Sequence, residues 1–84
     1  MKEVTLYTTK VCPYCIRALR MLSKKDVTYR NIDVNKNREL YEKIKEETGS
    51  DTVPQIFIGE EFIGGYDEMK QLDKEGKLDS MLDL

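Results

Sequence analysis

The chain holds two cysteines, Cys12 and Cys15, with Pro13 and Tyr14 between them. A bridge at that spacing closes too short a loop to staple a fold, so the pair points to chemistry. One sulfur could attack a disulfide, and the other could then attack that same sulfur and release the partner's thiol from the mixed disulfide. The chain has no histidine. That excludes Ser-His-Asp and Cys-His triads and His-ligated zinc. Two thiolates alone would leave half the ligand positions of a zinc or iron site empty in a monomer, so no metal site is expected.

The surrounding pattern sets this pair at the start of a helix. Val4 to Thr8 is rich in β-formers and reads as the first strand. From Pro13, Cys15, Ala18, Leu19 and Leu22 recur at i, i+3, i+4 and i+7 while Arg17, Arg20 and Lys24 take the other face, giving a helix to about Lys25. Pro13 suits the first turn, and Lys24-Lys25 suit the negative end of the macrodipole. Cys12 therefore stands where unpaired N–H groups favour a thiolate, and it is the candidate nucleophile. Cys15, one turn on at the head of the apolar stripe, is expected to be buried, harder to ionise and close enough to resolve the mixed disulfide. An easily ionised sulfur loses in nucleophilicity most of what it gains in thiolate fraction, so the expected benefit at Cys12 is as a leaving group.

Val27 to Ile32 alternates and reads as a second strand, followed by turn and capping residues from Asp33 to Asn37. Leu40, Tyr41, Ile44 and Thr48 predict a second helix over about Asn37 to Thr48, stopped by Gly49. Gln55 to Ile58 and Glu61 to Ile63 flank Gly59-Glu60, a two-residue break suited to a type II′ hairpin. Beyond Gly64-Gly65, Met69 and Leu72 mark a third helix, and Leu78, Met81 and Leu82 a final helical turn packing back. The order is β-α-β-α-β-β-α, an α/β fold with a four-stranded mixed sheet flanked by helices, its first two strands parallel and joined by a right-handed crossover.

With 84 residues, the chain is read as a single small domain over residues 1–84. Its 14 basic and 16 acidic residues give a net charge of -2, which offers no grip on nucleic acid or an anionic membrane. The first fifteen residues form neither a signal peptide nor a membrane anchor, so a cytoplasmic location is expected. Met and Leu stripes read as core, so the expectation is a monomer. The charge is uneven: residues 1–30 carry seven basic and two acidic residues, and residues 31–84 carry seven and fourteen. Arg17 and Arg20 lie just past the cysteine turn, where they could steer a small anion.

This element order, with Cys12-Pro13-Tyr14-Cys15, Thr52-Val53-Pro54 and Gly64-Gly65-Tyr66-Asp67 in sequence across nearly the whole chain, resembles the dithiol glutaredoxins. The resemblance implies a minimal thioredoxin fold and a glutathione-dependent thiol-disulfide oxidoreductase. Glutathione would be co-substrate, with no bound cofactor, and the partners would be glutathione and disulfide-containing or glutathionylated proteins. Pro54 by itself reads as the start of an edge strand, and Gly64-Gly65 as a turn into the third helix. The resemblance gives them more. It implies a cis bond before Pro54 facing the active cysteine, and Val53 backbone groups that hold the cysteine of glutathione, with Tyr14 and Thr52 in the same groove. It also implies that the backbone around Gly65, Tyr66 and Asp67 meets the γ-glutamyl carboxylate while the Asp67 side chain meets its ammonium. Lys10 departs from the pattern, because the family's basic residue stands three positions before the first cysteine, where this chain has Thr9. Lys10 is kept as a candidate for the glycine carboxylate of glutathione or for support of the Cys12 thiolate. Two alternatives stay open. One is an electron donor to ribonucleotide reductase recharged by thioredoxin reductase, in which an aromatic-Ser-Gly-Phe stretch usually replaces Gly-Gly-Tyr-Asp. The other is a carrier that bridges an iron-sulfur cluster between two subunits with glutathione, less expected with a Pro after the first cysteine.

Overall fold

The structure, a computed structural model, describes residues 2–84. Its elements are β1 (Val4–Thr8), α1 (Pro13–Lys24), β2 (Tyr29–Asp33), α2 (Arg38–Thr48), β3 (Gln55–Ile58), β4 (Glu61–Gly64), α3 (Tyr66–Lys74) and α4 (Lys77–Met81). The sheet runs β2-β1-β3-β4, with β1 parallel to β2 and antiparallel to β3, and β4 antiparallel to β3. This is the expected mixed four-stranded sheet.

Strand alternation decides which helix covers which face. Val4 and Leu6 of β1 and Ile56 and Ile58 of β3 point to one side, where they meet Ala18 and Leu22 of α1, Met69 of α3 and Leu78 of α4. Tyr7 and Phe57 point to the other side, toward Ile44 and Tyr41 of α2. Tyr7 and Phe57 pack edge to face at 5.7 Å. The first core is the larger, and each fully buried Leu, Ile or Met in it contributes about 1.5–3 kcal/mol. It anchors α1 and therefore the cysteine pair.

Three features differ from the sequence pattern: one strand boundary, one helix cap and one residue's burial. β2 begins at Tyr29 and not at Val27, because Asp26 takes a left-handed conformation (φ 62) and turns the chain. The Val27 N–H then bonds the Leu22 carbonyl at 3.1 Å and that of Asp26 bonds Ser23, so Val27 closes the helix end and does not open the strand. Asn37 stands at the head of α2 but makes no capping bond with its side chain. It donates instead to the Asp33 carbonyl at 2.9 Å, while the Asp33 carboxylate accepts the Asn35 N–H, so both side chains are spent on the turn. Leu40, expected on the buried stripe, is exposed, because α2 covers a narrow core that only Ile44 enters fully.

The hairpin follows expectation. Ile58 pairs with Glu61 across Gly59-Glu60, and of the two loop residues only Gly59 has positive φ (61), the type II′ pattern. Lys25, capping α1, places its ammonium 2.7 Å from both Asp73 of α3 and Asp79 of α4. One side chain thus ties three helices together on the side of the larger core.

Candidate active site

The first wall of the site is the head of α1. Cys12 has extended backbone (φ -148), and its Sγ accepts the Cys15 N–H at 3.2 Å, so a sulfur does the work of a capping oxygen. That places the sulfur on the positive end of the helix. Its S–H donates toward the Val53 carbonyl at 3.9 Å. Both thiols are free. Cys12 keeps 9% exposure, against 1% for Cys15. Burial above all, then the hydrogen bond with Cys12 and the charge on it, pushes the Cys15 thiol up to about 12, opposed by a backbone hydrogen bond from Thr9. Both sulfurs are buried, Cys15 the more completely, and Cys15 is the harder to ionise, as expected from its place on the apolar stripe.

The second wall is the loop before β3. Gln55 is fully buried, and both ends of its amide are used: Nε2 donates to the Ser50 carbonyl at 2.7 Å and Oε1 accepts the Thr48 hydroxyl at 3.1 Å. The Thr48 hydroxyl also accepts the Ser50 N–H, and the Ser50 and Thr52 hydroxyls lie 3.3 Å apart. This network fixes the segment carrying Thr52, Val53 and Pro54 against Cys12. The Val53–Pro54 bond is cis, as the resemblance implied.

The third wall is the entry to α3. Gly64 has φ 111, and a Cβ there would stand 2.7 Å from the Glu68 side chain. A Cβ on Gly65 would lie 3.3 Å from the Pro54 carbonyl, so two walls of the site approach closely at a glycine. The Glu68 carboxylate reaches back to accept the Gly65 N–H at 2.7 Å. Across the opening, the Tyr14 and Tyr66 rings lie 6.3 Å apart, and the Arg17 guanidinium sits 5.3 Å from the Tyr14 ring centre.

Together the walls enclose a pocket of about 310 Å³ lined by Tyr14, Thr52, Val53, Pro54, Gly65, Tyr66, Asp67 and Glu68. Seven of these eight are residues singled out in the sequence. Glu68 was missed, although the Gly-x-x-Glu spacing from Gly65 is half of a capping-box signal. Gln55 was missed as a positioning residue, and the only sign was a polar residue opening the apolar run Ile56-Phe57-Ile58. Lys10, expected with the glutathione set, does not join this pocket. It lines a separate one with Thr8, Cys15, Asn31 and Asp33.

Among the described residues no cluster of three His, Cys, Asp or Glu is placed to hold a metal ion, and no helix is long and apolar enough to cross a membrane.

A family model described as Glutaredoxin matches residues 4–63. The glutaredoxin of Pseudomonas aeruginosa is 45% identical over 82 residues, covering 98% of each chain. The solution structure of glutaredoxin from Brucella melitensis, 44% identical, aligns with a TM-score of 0.85 over 98% of this chain and 89% of that one. A buckwheat glutaredoxin-glutathione complex, 28% identical, aligns with a TM-score of 0.90 over 95% of this chain and 76% of that one. The sheet order and helices described above are thus those of a thioredoxin-type fold shared with these proteins. Likeness of this length and identity, in a chain whose one thiol caps a helix and whose other is buried a turn behind it, makes the chain a member of the glutaredoxin family and a thiol-disulfide oxidoreductase.

Proposed function

We propose that this chain reduces protein disulfides and glutathione mixed disulfides, with glutathione as its electron donor. The observation that carries the reading is the pocket between Tyr14, Val53, Tyr66 and Asp67, whose Val53 carbonyl lies 3.9 Å from the Cys12 sulfur. A cysteine joined to Cys12 would lie along Val53 and pair with its backbone as a strand edge does. Thr52, Pro54 and Gly65 close the sides. The γ-glutamyl end of glutathione is a zwitterion, and the head of α3 suits both charges: backbone N–H groups at Tyr66 and Asp67 for the carboxylate, and the Asp67 side chain for the ammonium. Lys10 has no part in this pocket. The buckwheat relative, solved as a glutathione complex, supports the same choice of ligand.

In the first step the Cys12 thiolate attacks one sulfur of the disulfide and the other leaves as a thiol. In the second, Cys15 or a further glutathione displaces the group held on Cys12. Once Cys12 is capped, its charge and its hydrogen bond no longer hold the proton on Cys15, and only burial still raises that thiol. Resolution by Cys15 is thereby made easier after the first step than before it.

The test is the intact mass of a Cys15→Ser variant after incubation with oxidised glutathione, followed by release with reduced glutathione. One adduct, absent from Cys12→Ser and released quickly, is the expected result. An adduct that glutathione cannot remove would shift the donor to another reductant, and thioredoxin reductase is then the one to try.

A further inference from the structure

A second cleft of about 400 Å³ lies between α1 and α3 and shares the Tyr66 wall with the pocket lined by Tyr14 and Val53. Arg17, Arg20 and Lys24 line its α1 side, and Tyr66 and Asp73 its α3 side. Residues 17, 20 and 24 are spaced i, i+3 and i+7, so the three cations form one stripe on a helix face. Asp73 is already held by Lys25 at 2.7 Å. Among the described residues, Arg17, Arg20 and Lys24 have no carboxylate within salt-bridge distance, although the chain has more acidic than basic residues. The stripe is unneutralised, and it starts at the active turn.

We propose that this cleft docks an extended acidic segment flanking the reactive cysteine of a protein substrate. The proposal rests on Cys12 as the attacking sulfur. A helix rises 1.5 Å per residue, so Arg17, Arg20 and Lys24 lie about 8, 12 and 18 Å along the axis from Cys12. An extended chain advances about 3.3 Å per residue, which sets the matching acids about two, four and five residues from the substrate cysteine. A polyanion such as nucleic acid fits less well, because the slot is short and the rest of the chain is acidic. The chemistry is a two-electron exchange. The Cys12 thiolate forms a bond to one substrate sulfur, and the substrate disulfide breaks. Cys15 loses its proton and attacks Cys12, so the Cys12–Cys15 disulfide forms and the substrate leaves with two thiols. The pre-reduced protein is the only reductant needed.

The experiment follows a single turnover of the pre-reduced protein with two cyclic peptide disulfides, by intact mass after acid quench. One peptide carries Asp two, four and five residues outside its cysteines, and the other carries Asn at the same places. The expected result is an Asp-to-Asn rate ratio of about ten at low salt, which shrinks in about 0.5 M salt. The ratio should fall to about one in an Arg20→Glu/Lys24→Glu variant. Taking a ratio within each protein cancels any change the substitutions make at Cys12 itself. A ratio near one in the unmodified protein, or an equal ratio in the variant, would overturn the docking proposal and leave thiol exchange standing. Failure of both peptides to oxidise the pair would remove thiol exchange with them, and docking with it.

Discussion

Cys15 holds its proton to about pH 12 because almost no water reaches it and because Cys12 competes for charge beside it. In the unfolded chain a thiol ionises near about 8.5, so the folded state binds this proton more tightly. The stability that follows is present in full below about pH 8.5 and is lost as pH rises toward 12. Thermal melts of the reduced protein should therefore fall above about pH 9 more steeply than those of Cys15→Ala, and parallel curves would sink the assignment. Gln55 is a second residue whose burial has a consequence. Gln55→Ala leaves the Ser50 carbonyl and the Thr48 hydroxyl without their partner, at a cost of about 1–3 kcal/mol. Because the loop it fixes carries Thr52 and Val53, the KM for glutathione should rise more than kcat falls, and equal effects on both would deny it the positioning role. At Gly64, the left-handed φ and the crowding by Glu68 both oppose a side chain. Gly64→Ala should lose about 1–3 kcal/mol in a denaturant melt and free the Gly65 N–H from Glu68.

Lys25 links α1 to α3 and α4 through two carboxylates at once, and removing it leaves Asp73 and Asp79 facing each other. Exposed pairs of this kind contribute about 0.2–1 kcal/mol each, so Lys25→Met should cost about 1 kcal/mol, and less in high salt. A melt shift that ignores salt would show packing, not charge, to be the cause. Much at this scale is legible in the sequence. The alternation of Val4 and Leu6 against Tyr7 divides the two cores, the Pro13 start puts Cys12 on a helix end, and Gly59-Glu60 fixes the hairpin. What escapes is geometry that periodicity does not encode. The left-handed turn at Asp26 delays β2, since Asp and not Gly occupies that position and leaves no marker. Lys10 lines a pocket with Asn31 and Asp33, residues far from it in sequence, which no local pattern states. Gln55 reads as a strand residue until the fold places Ser50 and Thr48 around it.

The molecule measures 33 × 24 × 20 Å, and its charges are distributed so that the net of -2 conceals a basic stretch around the cysteine pair. Screening decides which of the two an approaching anion feels. At about 0.1 M salt the Debye length is roughly 10 Å, shorter than every dimension of the molecule, so an anion near Cys12 responds to Arg17 and Arg20 more than to the acidic groups farther off. At about 1 M the length is roughly 3 Å, and even that local field is gone. Oxidised glutathione is anionic, whereas 2-hydroxyethyl disulfide is neutral and should not register the change. The rate of Cys12 attack on the anionic disulfide, divided by that on the neutral one, should therefore drop about two- to fivefold across this range. The acidic remainder of the chain keeps the effect modest, because it opposes the approach from a distance. A ratio that stays flat would mean that the basic stretch plays no part in the encounter with glutathione, and its unpaired cations would then have to act on a larger partner or on none.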